Sequence, residues 1–172
     1  PPRSTLFPYT TLFRSPGRIG FLNGLFTLSP SETLSAIEQR ARAGLAAAGG
    51  PMNLNPLSER VGAPLLAELA ANRDAVLPRI LTHMKDVLAT RDGRFLLDHH
   101  ADRLAADLRQ SRPEKPLHFE AITGLLNDCL DERSALSPTQ VLMRLSRSEV
   151  FERVDRGRYR IRGSTTLVPP EP

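Results

Sequence analysis

Thr139, Gln140, Met143, Arg144 and Arg147 fall on one side of a helical repeat, because Val141, Leu142 and Leu145 form the apolar stripe on the other. Gln can pair with adenine and Arg with guanine in a major groove, and the first outward residues of such a helix are the ones that reach base edges. A second set follows. Tyr159 and Ile161 share one face of an extended run, so Arg158, Arg160 and Arg162 share the other. Three guanidiniums on one strand face make a stripe roughly 13 Å long, suited to a phosphate backbone. From Thr139 to Gly163, seven arginines stand against Glu149, Glu152 and Asp155, a local charge of +4. These two sets offer hydrogen bonding to base edges and charge pairing with phosphates. An ordinary amphipathic helix, and a solvated strand face partly neutralised by those acids, are the plainer readings of the same residues.

Catalytic chemistry finds less support. No phosphate-binding loop, HExxH run, GxSxG elbow or paired CxxC occurs, and Gly44 to Gly50 is Ala-rich without phosphate-loop spacing. His99 and His100 with Asp98 and Asp102 form the one dense His/carboxylate cluster, which reads as the opening of a helix with Asp98 as its cap. Cys129 is in register with Ile122, Leu125 and Leu126 and reads as a small core residue. His118, beside a short strand, reads as structural. The expectation is a chain with no catalytic residue, no cofactor and no metal.

The elements that must hold these arginines are legible locally. Ser137-Pro138-Thr139-Gln140 is a capping box with Pro at the first helical position. Upstream, the pattern predicts a helix over 98–110, an extended Pro116-Leu117 and a helix from Phe119 to Leu130; downstream, it predicts a hairpin over 150–162. The same order is predicted earlier. A helix capped by Ser29-Pro30-Ser31-Glu32 runs through Leu34, Ile37, Ala41 and Leu45 and ends at Gly49-Gly50. An extended piece at Met52 to Leu54 follows, then a short helix with Asn55 as cap and Pro56 as first residue. Further helix runs over 64–71, and another over 74–84 with Pro78 in its first turn, where a missing N–H costs little. A hairpin over 85–97 closes the series.

Internal matches tie the two series together. Asn23-Gly24-Leu25-Phe26-Thr27-Leu28, Asp92-Gly93-Arg94-Phe95-Leu96-Leu97 and Arg156-Gly157-Arg158-Tyr159-Arg160-Ile161 share turn residue, Gly, aromatic and aliphatic at fixed spacing, the glycines being 69 and 64 residues apart. Gly supplies the positive φ that a tight two-residue turn needs. Val76 to Ile80 matches Val141 to Leu145, and Pro51 to Leu54 matches Pro116 to Phe119, both offset by 65. Duplication is the economical explanation. The fold class expected is mainly α with small β-hairpins, as tandem winged helix-turn-helix domains over 29–97 and 98–163. Residues 16–28 read as the remnant wing of a preceding copy, and 164–172 as a disordered tail.

Composition sets the remaining bounds. The 172 residues are 40% hydrophobic and 24% charged, with one cysteine, which excludes a disulfide scaffold and a Cys-rich zinc site. No apolar run approaches the ~20 residues of a membrane span. Of 23 basic residues only Lys85 and Lys115 are lysine, a skew typical of GC-rich genomes, so arginine content by itself says little about partners. Pro1 to Ser15, PPRSTLFPYTTLFRS, is identical to the in-frame translation of a common short-read sequencing adapter. That match implies an adapter-derived segment with natural chain missing before Pro16. Without it, the formal charge falls from +4 to +2.

The second series also carries a family resemblance. Pro116-Leu117-His118-Phe119-Glu120-Ala121-Ile122, Val141 to Leu145, and Phe151-Glu152-Arg153-Val154 through Gly157-Arg158-Tyr159 together resemble the HARE-type winged helix, over about residues 99–163. They also resemble the N-terminal module of the bacterial RNA polymerase delta subunit. The first series departs more, with Pro78 where the second has Met143. The resemblance implies a bacterial, cytoplasmic, transcription-associated fragment of a larger protein. Its implied partner is double-stranded DNA, with RNA polymerase or another transcription protein as a further partner, and no membrane. A protein-docking module, or an accessory domain of a nuclease or other enzyme, is the alternative class.

Overall fold

The computed structural model describes residues 20–22, 25–27, 31–62, 66, 73–110 and 115–164. The expectations for 1–15, for the cap at Ser29-Pro30, for most of the helix over 64–71 and for the tail beyond 164 lie outside them. Within the described residues the chain is mainly helical with small antiparallel sheets. A two-stranded hairpin comes first, β1 (Gly20–Leu22) against β2 (Leu25–Thr27). The first half then runs α1 (Ser31–Ala48), α2 (Leu54–Val61), α3 (Arg73–His83), β3 (Val87–Ala89) and β4 (Phe95–Leu97). The second runs through a 3-10 turn (Asp98–His100) into α4 (Ala101–Leu108), then β5 (Leu117–His118), α5 (Phe119–Cys129), α6 (Pro138–Arg147), β6 (Phe151–Asp155) and β7 (Arg158–Ile161). No helix among the described residues is long and apolar enough to cross a membrane.

The two halves share their pairing as well as their order. Leu117 faces Tyr159 across β5 and β7, and Met52 faces Phe95 in an isolated bridge, the same two positions one repeat earlier. Each aromatic sits on the strand leaving a glycine turn, and each is buried. The turns themselves differ. Gly157 has φ +71° in a two-residue link, and a Cβ there would lie 2.8 Å from Nε2 of His118. The turn at Gly93 is instead a three-residue loop closed by Thr90 N–H donating to the Arg94 carbonyl. The Thr90 hydroxyl, held between Asp92 and Arg94, stabilises the wider loop where two residues were expected.

Three helix starts also differ from expectation. α2 begins at Leu54, with Asn53 rather than Asn55 at the cap position and no side-chain capping bond. Pro56 is tolerated one turn in because first-turn N–H groups have no helical acceptor anyway. α3 begins at Arg73, which puts Pro78 inside the helix rather than in its first turn, so the carbonyl at position 74 loses its i+4 donor. Asp98 does not cap α4. Its N–H donates to the Asp86 carbonyl and its carboxylate is held by Arg144.

The β3–β4 hairpin belongs to both halves. Val87, Ala89, Phe95 and Leu97 enter the first core with Ile37, Leu45, Leu57 and Leu77. Leu88 and Leu96, on the opposite face, enter the second core with Ile122, Leu126, Leu130 and Tyr159. The outer edge of β3 is covered by the segment after α5. Arg91 N–H donates to the Cys129 carbonyl at 2.9 Å, Asp131 N–H to the Ala89 carbonyl at 3.0 Å, and Ala89 N–H to the Ser134 hydroxyl at 2.8 Å. At the facing positions of the second hairpin, Glu152 and Arg160 replace Leu88 and Leu96 as the cross-strand pair. Cys129 is partly buried against the second core, as its register predicted.

Candidate nucleic-acid interface

α6 is set by its two ends. Ser137 accepts from Gln140 N–H while Ser137 N–H donates to Gln140 Oε1, so both arms of the capping box form. Asn127 pins the link before it, donating to the Leu136 carbonyl and accepting Leu136 N–H. At the far end the Ser148 hydroxyl bonds the Asp102 carboxylate and accepts from Val150 and Phe151 N–H, turning the chain into β6. Val141 and Leu145 are buried, so Thr139, Gln140, Met143 and Arg147 face outward as the spacing predicted.

That outward face is one wall of a groove. The opposite wall is the entry to α4, with Asp98, His99, His100, Asp102 and Arg103, and the groove holds about 710 Å³. Gln140, Met143, Arg144 and Arg147 come together in it; Thr139 and the three strand arginines lie outside. Arg144 reaches across, donating to the Asp98 carbonyl at 3.1 Å and its carboxylate at 2.9 Å. Gln140 spends its amide oxygen on the cap. Two of the five outward residues of the helix thus hold the fold together; the capping box made Gln140's part legible locally, but Arg144's was not, since Asp98 is 46 residues away.

The strand arginines divide similarly. β7 is the central strand of the order β5–β7–β6, with Tyr159 buried, Arg158 exposed, and Arg160 and Ile161 half-buried. Arg160 forms an ion pair with Glu152 directly opposite. Arg158 and Arg162 are exposed, and no ion pair joins either among the described residues; Arg162 falls in the turn after Ile161, so the strand carries two of the three arginines expected on it. Arg158 faces Asp155 in register, but that carboxylate accepts instead from Arg156 N–H.

Two buried polar groups were not legible as such. Arg109 is 4% exposed, donates to the Tyr159 and Lys115 carbonyls, and lies 6.0 Å over the Phe151 ring. His100 is buried beside His99, and its Nδ1 has no hydrogen-bond partner. Burial, and then the nearby His99 and Arg103, push the His100 imidazole below its ordinary value. The unfolded chain therefore takes up this proton more readily than the folded one. The stabilisation is fully present above about pH 6.5, the free imidazole value, and is lost as pH falls through the lowered folded value. Melting temperature should fall more steeply from pH 7 to pH 5 in the native chain than in His100→Leu. Asp86 and Asp92 titrate lower, because Arg42 and Arg94 hold their carboxyls down. Identical slopes in the two proteins would remove His100 as the acid-sensitive group.

Compared with family models, curated proteins and solved structures, the chain matches none of them.

Proposed function

We propose that the chain is a tandem winged helix-turn-helix unit of HARE type whose second half binds double-stranded DNA through its wing. In this reading it is the DNA-binding part of a larger cytoplasmic, transcription-associated protein, with RNA polymerase or another transcription protein as a partner. The observation that carries the proposal is the pair of exposed arginines at the wing without an ion pair among the described residues, Arg158 at the start of the central strand β7 and Arg162 in the turn just after it. Phosphate contacts of this kind position a duplex without reading its sequence. Arg160 and Arg144, each tied to a carboxylate, serve as braces and not as primary contacts. The first half contributes no comparable face, because Leu88 and Leu96 occupy it and are buried.

The test is the salt dependence of duplex binding. Changing Arg158 and Arg162 to Gln should weaken binding to all sequences alike and reduce the log–log salt slope by up to about 0.9 for each phosphate no longer neutralised. Arg160→Gln should change the slope far less. A slope unaltered in the double variant would reject the wing as the DNA-binding face. The groove beside Met143 favours a second reading, docking of a protein segment, and it involves different residues.

A further inference from the structure

We infer that the 3-10 turn at the entry to α4 is an acid-operated latch: protonation of His100 unwinds the turn and frees it from α6, opening the groove between them while both cores stay folded. The position of His100 suits it to this. It sits in the turn that joins the shared hairpin to α4, it is 7% exposed, and its Nδ1 is buried with no hydrogen-bond partner. A neutral imidazole tolerates such a place by turning a lone pair toward it. An imidazolium cannot, because it carries an N–H on both ring nitrogens and the buried one finds no acceptor. The His99 ring lies edge to face with centroids 4.2 Å apart, so a positive charge on His100 also meets a second imidazole.

The carboxylates nearby are already committed. The charged and titratable groups that line the groove with His100 are Asp98 and His99 from its own turn, Asp102 and Arg103 from α4, Arg144 and Arg147 from α6, and Glu149 just beyond α6. Asp98 accepts from Arg144, and Asp102 from the Ser148 hydroxyl and Arg103 N–H. The bonds from Arg144 and Ser148 tie the turn to the far wall. A charged ring reaches water or a carboxylate by leaving its place, which unwinds the turn and breaks the Arg144 tie. That tie can give, since the Arg144 and Asp98 side chains are 21% and 35% exposed and ion pairs open to water contribute little. The second core is held instead by apolar burial of Leu104, Ile122 and Leu145, which protons do not touch. Burial first, then His99 and Arg103, hold the closed His100 below its ordinary value, with Asp102 pulling the other way. In the open turn the ring titrates near the free value of about 6.5. The open fraction therefore rises as pH falls, by up to about tenfold per unit, from about pH 6.5 down to the lowered closed value. The latch involves neither the wing nor a ligand.

The test is hydrogen exchange of the whole chain by NMR at pH 7, 6 and 5, each rate divided by its unstructured-peptide rate at the same pH. Two groups report the latch directly, because both donate to the Asp98 carbonyl: Ala101 N–H and Arg144 Nε–H. Their protection should fall about fivefold or more between pH 7 and pH 5. Leu130 N–H, bonded to the Leu126 carbonyl, and Thr90 N–H, bonded to the Arg94 carbonyl, report the cores and should hold within about twofold. His100→Leu should abolish the fall at the two reporters, whereas His99→Gln should retain it. The native chain decides the question even if His100→Leu does not fold. Protection at Ala101 and Arg144 that is constant with pH, an equal loss at Leu130 and Thr90, or a fall that persists in folded His100→Leu would each overturn the proposal.

Discussion

Replacing Leu96 by Ala is expected to destabilise the whole chain by about 2–5 kcal/mol, the range for a buried leucine whose cavity cannot collapse. Leu96 is fully buried, and its neighbours Ile122 and Leu130 are fully buried with it. It lies on a strand of the first half but packs into the core of the second. The loss should therefore appear as one transition, because backbone bonds from Cys129 and Asp131 to the same hairpin couple the halves. Urea unfolding followed by amide NMR signals from both halves gives the measurement. A cost below about 1 kcal/mol, or melting of the second half alone, would show the hairpin to be less shared than its packing indicates. Leu97→Ala, on the face toward the first core, should give the same single transition.

Arg109→Met is expected to cost about 2–4 kcal/mol although it fills similar space with an apolar chain. The guanidinium is buried, and its loss takes a charged donor from the Tyr159 and Lys115 carbonyls, a bond to a charged group being worth about 1.5–3 kcal/mol. The stacking over the Phe151 ring goes as well. Arg109→Lys should recover part of the loss, since an ammonium donates but cannot fork between two carbonyls. Thermal or denaturant unfolding decides it. A loss below about 0.5 kcal/mol would mean that water replaces the guanidinium without difficulty.

What the sequence reveals here is what depends on neighbours along the chain. The capping box at Ser137, the apolar stripe of Val141 and Leu145, the two-residue turn at Gly157 and the inward Tyr159 are all set within a few residues, and all appear where expected. Repetition extended that reach. It matched Pro51 to Leu54 with Pro116 to Phe119, and the structure then pairs Met52 with Phe95 as it pairs Leu117 with Tyr159, across more than forty residues in each half. The misplaced details have long-range causes. Asp98 has the type and position of a helix cap, yet a guanidinium from α6 competes for it. Arg144 has the chemistry of a base reader, yet Asp98, 46 residues away, draws it across a groove as a brace. A side chain's type shows what it can bond, while its tertiary surroundings decide which bond it makes.

The sharing of the β3–β4 hairpin bears on how the chain must be made. As synthesis proceeds from the N-terminus, the hairpin is complete once Leu97 has left the ribosome, but the residues that cover Leu88, Leu96 and the β3 edge have not yet been added. At about 5–20 residues per second, the interval until Leu145 is in place is roughly 2–10 seconds. For that time, a strand with an open edge and two bare leucines is presented to solvent. Both are features that invite pairing with a neighbouring nascent chain. Conditions that slow elongation between residues 98 and 145 should therefore increase aggregation without altering the stability of the finished protein.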